Sequence, residues 1–280
     1  MLLTIIIVNY NGARFLKNCL DSVLSQKKYK TPFKVILFDN ASTDDSFNAL
    51  APYLEDIVLV KNPTNIGFPQ AHNQLLPELN TPFLWLLNND TEFDHNIDMI
   101  TPILNHFSTD DSVVGISPKL LNTDGSIQVQ GSGIAGLKYK TSKIKQVSFL
   151  SGASLFIKTS FFKKINGFDP NLFFYNDDID FAMQVKKHKM KLIYYPHLKV
   201  THHGGLSTKF QQIETRIGGY IGSLYLCRKY YSAFTFYIYK QCVKLLIWIQ
   251  YLYYKSKSAP EFSTWPEQLK TALERIKNEL

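Results

Sequence analysis

The chain has 280 residues, of which 45% are hydrophobic and 19% charged, and this composition excludes an intrinsically disordered or fibrous protein. It carries 31 Lys and Arg against 23 Asp and Glu, a formal net charge of +8, but only four arginines. Because nucleic-acid-binding proteins use arginine to read guanine and to clamp phosphates, the composition disfavours that class. Residues 208–280 hold 11 of the basic and 5 of the acidic side chains, so we expect this part to face an anionic partner.

The three cysteines, Cys19, Cys227 and Cys242, are too few and too scattered for a disulfide framework or a zinc site. We expect buried free thiols and a reducing compartment. The apolar segment Met1–Val8 carries no cationic region and runs directly into Asn9. It is therefore predicted to be a buried strand and not a signal peptide.

The first hundred residues alternate between strand-like and helix-like segments. Between the strands, apolar residues recur at helical spacing after Gly12. A helix start is indicated at Ser42–Asp45, and Pro69 suits the first turn of a helix. This alternation predicts a parallel, doubly wound α/β sheet, in which ligands bind at the carboxyl ends of the strands. The predicted strands are the continuous apolar runs Leu3–Val8, Phe33–Phe38, Ile57–Val60 and Phe83–Leu87.

The middle of the chain is less regular. Gly131–Lys145 is rich in Gly, Ser, Thr and Lys and predicts a mobile loop over the site. A further helix is expected over Asp177–Lys189. Further strands are predicted at Val113–Ile116, Phe149–Lys158, Leu192–Tyr195 and Leu198–Val200.

From about Ile213 the sequence becomes aromatic and basic. Tyr230–Tyr254 is long enough to cross a bilayer, but Lys240 and Lys244 interrupt it, and two central lysines are costly in a spanning helix. The first hypothesis is a helix that lies in a membrane interface, where Tyr and Trp are favoured and Lys reaches the headgroups. The alternative is a helix packed on the rest of the chain or on a second subunit.

Polar residues follow each of the first four predicted strands. The clusters are Asn9–Asn11, Asp39–Thr43, Asn62–Phe68 and Asn88–Asp90. Any one of them is explained by turn formation, since Asn, Asp and Gly favour turns. Four clusters at the same edge of a parallel sheet favour a ligand-binding crevice instead. Asp39 and Asn40 offer the acceptor and donor that a planar base requires, and Gly67 allows close approach of backbone to a charged group.

Carboxylates and histidines mark two further features of this edge. Asp90 ends an apolar strand, where it is placed to hold Mg²⁺ or Mn²⁺, whereas Glu92 and Asp94 are better explained as surface acids. His202 ends the last predicted strand and is interpreted as a metal ligand or phosphate contact, with a structural histidine as the alternative.

A carboxylate pair opens the helix predicted from residue 177. Asp177 and Asp178 follow an aromatic segment, Phe168–Tyr175. Negative charge at a helix start offsets the helix dipole, which accounts for one of these acids. A carboxylate beside aromatic rings loses water, its pKa rises, and it becomes a suitable general base.

Taken together, these motifs resemble a family 2 glycosyltransferase with the GT-A fold, nearest the rhamnosyltransferase-like branch. The resemblance covers residues 1–207, and the ordered set is more specific than any one motif. The matching segments are VNYNG (8–12), DNASTD (39–44), NIGF (65–68) with Asn73, LLNND (86–90), SGAS (151–154), GFD (167–169) with FYNDDID (174–180), and His202 with Ser207.

The resemblance implies an α/β GT-A fold, with a Rossmann-like, mostly parallel sheet flanked by helices and a helical, aromatic and basic C-terminal extension. The expected catalytic domain is 1–212, with a nucleotide-binding part at about 1–110 and an acceptor-binding part at about 111–212. The extension is 213–280.

The resemblance also implies inverting transfer of a sugar from a nucleoside diphosphate to a hydroxyl of a glycan or lipid-linked acceptor in cell-surface polysaccharide synthesis. Asp39 then reads the pyrimidine base, and Asp90 and His202 hold Mg²⁺ or Mn²⁺. Asp178 is the implied base. Asp177, Gly152 and Tyr175 are assigned to the acceptor, and the remaining nucleotide-binding residues are Asn9, Tyr10, Asn11, Asn40, Asn65, Gly67, Phe68, Asn73, Asn88 and Asn89.

Two departures from the family pattern matter. Asn88 stands where the metal motif has its first Asp, and Asp177 stands where the acidic pair has Glu. A thymidine-diphosphate rhamnose donor is the first expectation and a uridine-diphosphate hexose the second. We expect a cytoplasmic enzyme at the inner face of a bacterial cell membrane, with no nucleic-acid partner. Both a monomer and a homodimer agree with the sequence.

Two other classes of protein remain. A sugar nucleotidyltransferase shares the sheet but normally carries a glycine-rich basic loop after the first strand, which this sequence lacks. A non-catalytic module that binds sugar nucleotides or glycans would need no base at Asp178.

Overall fold

The structure is a computed structural model that describes residues 1–130, 137–173, 175–204, 212–256 and 264–278. It divides into two compact units, one of residues 1–173 and 177–207 and one of residues 174–176 and 208–280. The predicted loop Gly131–Lys145 lies outside the described residues over 131–136. Its remainder contains a 3₁₀ turn at Leu137–Tyr139 and a short strand at Lys145–Val147.

Within the described residues of the first unit, nine strands form a single sheet. Their order is β3-β2-β1-β4-β8-β6-β9-β5, with β7 beside β9. The strands are β1 Leu3–Asn9, β2 Phe33–Asn40, β3 Val58–Asn62, β4 Phe83–Asn88, β5 Thr91–Glu92, β6 Val113–Leu121, β7 Lys145–Val147, β8 Ser154–Lys158 and β9 Lys191–His202.

The half of the sheet nearest the N-terminus is parallel, as predicted. β2 and β4 flank β1, and β3 pairs with β2, all in parallel. The other half is mixed, because β8 runs antiparallel to both β4 and β6, while β9 is parallel to β6. The carboxyl ends of β1, β2 and β4 therefore meet at one edge, and the polar residues that follow them lie there.

Helices cover both faces of the sheet, and each face has its own buried apolar cluster. Continuous apolar strands supply both clusters, because successive side chains point to opposite faces. Trp85 on β4 is fully buried, stacks on Phe156 at 4.3 Å between ring centroids, and donates its indole N–H to Ser154 Oγ at 3.0 Å. The helices of this unit are α1 Ala13–Leu24, α2 Ser46–Leu50, α3 Phe68–Gln74, α4 Thr101–Phe107, α5 Thr159–Lys164 and α6 Asp177–Lys187.

The structure changes the bounds of three predicted strands, those at Phe149–Lys158, Leu192–Tyr195 and Leu198–Val200. The strand predicted at Phe149–Lys158 begins only at Ser154, and residues 149–153 form a loop that carries Gly152. The two strands predicted on either side of Pro196 are one strand, β9. Its pairing with β6 shifts register between Pro118 and Lys119, and such a bulge accommodates a proline that donates no ladder hydrogen bond.

The described part of the second unit contains three helices: α7 Gln212–Tyr230, α8 Ala233–Lys255 and α9 Trp265–Asn278. Ser232 caps α8, since its hydroxyl accepts the Thr235 N–H at 3.2 Å. The helices share a small buried cluster that includes Leu224, Val243 and Ile247. Among the described residues, no helix is both long enough and apolar enough to span a membrane.

Candidate active site

Asn9 is the centre of a hydrogen-bonded network at the carboxyl edge of the sheet. It is fully buried at the end of β1 and lies beside Asp39 in the parallel register. Its Nδ2 donates to Asp39 Oδ1 and to Ser42 Oγ, both at 3.0 Å, and its Oδ1 accepts from Asn89 Nδ2 at 2.7 Å. The network joins three of the predicted clusters, so these residues are brought together as expected.

The loops after β1 and β2 are locked to each other. Asn11 has a left-handed backbone with φ of 51°, and its Oδ1 accepts from the backbone N–H of Thr43 at 2.7 Å. In return, Ser42 Oγ accepts from the Asn11 N–H at 3.0 Å. The Asp39 carboxylate is held by Asn9 and by the Ser42 N–H at 3.1 Å, so it is fixed before any ligand arrives. Tyr10 extends outward and is 44% exposed.

Asn40 and Asn65 shape the loop before α3. Asn40 Nδ2 donates to Asn65 Oδ1 at 2.9 Å, and its Oδ1 accepts from the Ile66 N–H at 3.0 Å. Asn65 Oδ1 also accepts from the Gly67 N–H at 3.0 Å. These amides therefore hold the loop in place, so they have a structural role in addition to any contact with a nucleotide.

Gly67 is required by a neighbouring segment of the chain. Its φ is 82°, and a Cβ there would lie 2.2 Å from the backbone oxygen of Phe173. The next residue, Phe68, donates its N–H to that same oxygen at 3.1 Å. The prediction attributed this glycine to close approach of a charged group, whereas the close approach in the structure is that of Phe173.

Asn73 on α3 also holds a neighbouring segment of the chain, through two hydrogen bonds. Its Nδ2 donates to the Phe168 carbonyl at 2.7 Å, and its Oδ1 accepts from the Phe168 N–H at 2.8 Å. A Cβ on the preceding Gly167 would lie 2.1 Å from the Asn73 oxygen. Asn73 therefore fixes the segment that leads towards α6, and its assignment to the nucleotide stays a prediction.

Asp90 and His202 come together because β5 pairs antiparallel with β9, with Thr91 opposite His202. The His202 Nε2 lies 3.2 Å from Asp90 Oδ1, and both side chains are largely buried. Asn88 Nδ2 lies 3.3 Å from the same nitrogen, and Asn88 Oδ1 is buried with no hydrogen-bond partner among the described residues. Glu92 instead contacts His203 at 3.2 Å and Asn18 at 2.8 Å.

This donor set fits a divalent cation with further ligands from outside the protein. A carboxylate, an imidazole and an unpartnered amide oxygen are suitable donors for Mn²⁺ or Mg²⁺. No group of three or more His, Cys, Asp or Glu that could hold a metal occurs within the described parts of the chain. Six ligands are therefore reached only if bound substrate and water supply the rest.

The carboxylate pair at the start of α6 is desolvated. Asp177 is buried, and burial raises the pKa of its carboxyl far above the ordinary value, with the negative charge of Asp178 adding to the effect. Burial also raises the pKa of Asp178, although the backbone N–H groups of Ile179 and Gly152 lower it in part. Gly152 lies directly against the pair, since a Cβ there would be 3.8 Å from Asp177 Oδ2.

The remaining predicted residue, Tyr175, belongs to the second unit together with Asn176. Both have left-handed backbones, with φ of 69° and 66°. Asn176 Nδ2 donates to the Gly219 carbonyl at 3.1 Å within that unit. The assignment of Tyr175 to the acceptor stays a prediction.

Two site residues were missed by sequence reasoning. Ser42 binds both Asn9 and Asn11, and Gln128 Oε1 lies 2.8 Å from His202 Nδ1. Ser42 lay inside a recognised cluster and was interpreted as a helix start. Gln128 follows a turn, outside every motif, so no sequence signal indicated it.

The comparisons with known proteins agree with this geometry. The family model described as "Glycosyl transferase family 2" matches residues 4–165, which contain the strands β1–β8 and most of the network described above. The chain belongs to glycosyl transferase family 2. The prediction of a glycosyltransferase is thereby confirmed.

Relatives extend the likeness beyond that match. An N-acetylglucosaminyl-diphospho-decaprenol L-rhamnosyltransferase of Mycobacterium tuberculosis is 23% identical over 239 residues, which are 74% of this chain and 77% of the relative. A teichoic acid poly(glycerol phosphate) polymerase of Staphylococcus epidermidis is 30% identical over 116 residues, 40% of this chain and 16% of that protein. The predicted likeness to the rhamnosyltransferase branch of the family is confirmed.

A solved structure supports the fold. GalNAc-T7, crystallised with UDP, GalNAc and Mn²⁺, matches with a TM-score of 0.66 at 15% identity and covers 100% of this chain. The chain spans 56% of the length of that protein. The predicted GT-A fold with helices flanking the sheet is confirmed, and a helical C-terminal region is present.

Proposed function

We propose that this glycosyltransferase transfers a sugar from a nucleoside diphosphate to an acceptor hydroxyl with inversion at the anomeric carbon. The observation that carries the proposal is the desolvated Asp178 at the start of α6, within the same unit as the Asn9–Asp39 network. A base with a raised pKa is what activation of a hydroxyl requires near neutral pH.

Asp178 accepts the proton of the acceptor hydroxyl as its oxygen attacks the anomeric carbon. The bond to the diphosphate breaks on the opposite face, and the leaving nucleoside diphosphate takes the bonding electron pair. Asp177 stays protonated at neutral pH because burial and its charged neighbour raise its pKa. In that state it can donate a hydrogen bond to the acceptor, the role we assign to it together with Gly152.

The donor is bound by the network at the ends of β1 and β2. Asp39 is fixed as an acceptor for the imide N–H of a pyrimidine base, and Tyr10, which follows Asn9 in the chain, is exposed. Asn9, Asn11, Asn40, Asn65, Gly67, Phe68, Asn73 and Asn89 hold the surrounding loops, and Asn88 faces the diphosphate. Thymidine-diphosphate rhamnose is the first candidate, supported by the mycobacterial relative, and a uridine-diphosphate hexose is the second.

Asp90 and His202 would hold Mg²⁺ or Mn²⁺, with Asn88 Oδ1 as a further donor. When bound, the cation neutralises charge on the leaving diphosphate. Support comes from the donor set of the site and from the Mn²⁺ in the GalNAc-T7 structure. The burial of both side chains keeps them in place for the donor.

The acceptor is proposed to be a glycan or lipid-linked sugar of a cell-surface polymer, made at the cytoplasmic face of the membrane. The names of the mycobacterial and staphylococcal relatives support this choice. We assign catalysis to residues 1–212, with the nucleotide part at about 1–110, and membrane-surface contact to 213–280. The apolar face of α8 supports that contact, because Phe234, Leu245 and Ile249 are exposed on it.

A donor screen tests this function. The full chain is incubated with nucleotide sugars and a lipid-linked glycan acceptor, with and without Mn²⁺ or Mg²⁺, and the released nucleotide is identified. Sugar transfer requires release of a nucleoside diphosphate, strongest with thymidine-diphosphate rhamnose and dependent on the cation. Release of pyrophosphate from a nucleotide and a sugar phosphate would identify a nucleotidyltransferase, and binding without turnover of any donor would identify a binding module.

A further inference from the structure

A side chain outside every motif of the family contacts His202. After β6 the chain turns back at Asn122–Ser126, and Gln128 is held beside the strand by its N–H, which donates to the Leu120 carbonyl at 2.9 Å. Gln128 Oε1 lies 2.8 Å from His202 Nδ1. The opposite ring nitrogen of His202, Nε2, is the one that faces Asp90 and Asn88.

The orientation of the Gln128 amide is determined by a chain of hydrogen bonds that begins at an ionised carboxylate. Asp124 is exposed, and hydrogen bonds from Ser126 hold its pKa below the usual value. A carboxylate only accepts, so the Ser126 hydroxyl donates to it at 2.6 Å. The only proton of that hydroxyl is thereby used.

The remaining links follow from this first one. Ser126 Oγ can only accept from Asn122, whose Nδ2 lies 2.9 Å away. Asn122 therefore presents Oδ1 to Gln128 Nε2 at 3.3 Å. Gln128 in turn presents its oxygen to His202. The direction of each bond is set by the previous one, so the orientations of both amides and the tautomer of His202 follow from the ionised Asp124.

We propose that Gln128 is a positioning residue that fixes His202 in the tautomer protonated at Nδ1. In this tautomer the lone pair is on Nε2, 3.2 Å from Asp90 Oδ1. A neutral Nε2 with a lone pair binds a cation, whereas a protonated Nε2 would donate to a phosphate. The relay Asp124–Ser126–Asn122–Gln128 therefore selects a cation ligand over a phosphate contact, and this choice rests on the cation of the proposed function.

The tautomer is measured directly by two-bond ¹H–¹⁵N NMR of the full chain labelled with ¹⁵N-histidine, at a pH where the imidazole is neutral. The His202 signals are assigned by their absence from His202→Gln. We expect the nitrogen without a proton to be Nε2 in the wild type. A mixture of tautomers is expected in Gln128→Leu, which has no acceptor for Nδ1.

Cation affinity gives a second readout. We expect Gln128→Leu to weaken Mn²⁺ binding, followed by EPR in the presence of thymidine diphosphate, by about 10-fold or more, the usual effect of removing the partner of a ligating histidine. Gln128→Glu keeps an oxygen against Nδ1 and should restore the affinity. Gln146→Leu on β7 removes an exposed glutamine elsewhere in the same unit and should change neither readout.

A double variant tests the relay itself. Ser126→Ala frees the Asn122 amide to rotate, so it should weaken Mn²⁺ binding in the wild type. The same change should have no effect on the Gln128→Glu background, because a carboxylate presents an oxygen in either orientation. A wild type protonated at Nε2, or a Gln128→Leu variant with unchanged tautomer and Mn²⁺ affinity, would overturn the proposal. A wild type with the expected tautomer that binds no Mn²⁺ would contradict the metal dependence and leave the tautomer assignment standing.

Discussion

Asp177 and Asp178 are adjacent in sequence, yet the structure gives them different properties. Both have raised pKa values because burial removes water from them. The backbone N–H groups of Ile179 and Gly152 lower the pKa of Asp178 in part, whereas the negative charge of Asp178 raises the pKa of Asp177 further. We therefore propose that Asp178 is the member of the pair that ionises first and serves as the base, with Asp177 protonated beside it.

This assignment predicts a pH profile. As the pH falls through the raised pKa of Asp178, the base becomes protonated and transfer is lost. The acid limb of kcat/KM should therefore have its midpoint above about pH 5, compared with about 3.9 for an ordinary Asp. The profile is measured as nucleoside diphosphate release at saturating acceptor. A rate that stays constant down to about pH 4.5 would show that no desolvated carboxylate acts as the base.

Asp177→Asn should stabilise the protein while weakening transfer. The folded-state pKa of Asp177 is raised, so its stability contribution is lost as the pH rises from the unfolded towards the folded pKa. Asparagine removes this penalty. We expect the free energy of unfolding in urea to increase by about 1 kcal/mol or more at pH 8, and by less at pH 5.

The control for this prediction is Asp111→Asn, which changes a fully exposed carboxylate of the same unit and should leave both stability and transfer unchanged. A variant at Asp177 that loses stability as well as transfer would mark the residue as purely structural.

Gly67→Ala tests the packing of the loop before α3 against Phe173. The substitution meets both a left-handed φ of 82° and an oxygen 2.2 Å away. We expect the free energy of unfolding to fall by about 2–3 kcal/mol, of which about 1 kcal/mol is backbone strain. Affinity for the nucleoside diphosphate without metal, measured by calorimetry, should fall as well.

Gly125→Ala is the matched control, since its φ is 79° and nothing lies within 4 Å of the added Cβ. It should cost only the backbone strain and leave nucleotide affinity unchanged. Equal losses for the two variants would show that the contact with Phe173 is unimportant.

At the scale of elements, the sequence predicted β1, β2 and β4 well because each is a continuous apolar run that ends in polar residues. The second half of the sheet was less predictable. Phe149 and Leu150 are apolar but lie in a loop, since apolarity alone does not distinguish a buried loop from a strand. Pro196 suggested an interruption of β9, yet a register shift against β6 accommodates it.

Helix α8 carries a prediction at this scale. The side of the helix that faces away from Val243 and Ile247 is apolar and exposed. Residues 215–256 contain six Lys and Arg but no Asp or Glu. A second copy would bring cations against cations, whereas an anionic membrane complements them. We expect the full chain to co-sediment with anionic but not neutral liposomes, and salt should weaken this binding without abolishing it.

Variants of α8 test whether its exposed apolar side is the surface that binds liposomes. Leu245→Ser with Ile249→Ser should reduce binding to anionic liposomes, whereas Phe47→Ser, at an exposed phenylalanine of the first unit, should not. Equal sedimentation with both kinds of liposome, unchanged by the α8 variant, would contradict membrane contact. Salt-insensitive self-association would then favour contact between subunits.

At the scale of the whole molecule, the ordered motifs were enough to indicate the family and the edge of the sheet where the site lies. The roles of single residues were less predictable, because the side-chain amides of Asn40, Asn65 and Asn73 form hydrogen bonds with other groups of the protein. Such internal bonds depend on which loops meet in space. Gln128 could not be found for the same reason, since only the pairing of β6 with β9 and the turn after β6 bring it to His202.

The central claim is that Asp178 is the base of a sugar transfer. Its most direct test is the rate of transfer by Asp178→Asn, measured together with the affinity for the nucleotide-sugar donor, with Asp111→Asn as the control. Loss of a general base lowers the rate by about 10²–10⁴, so we predict a loss of that order with donor affinity near that of the wild type. Transfer within a few-fold of the wild type would contradict the account.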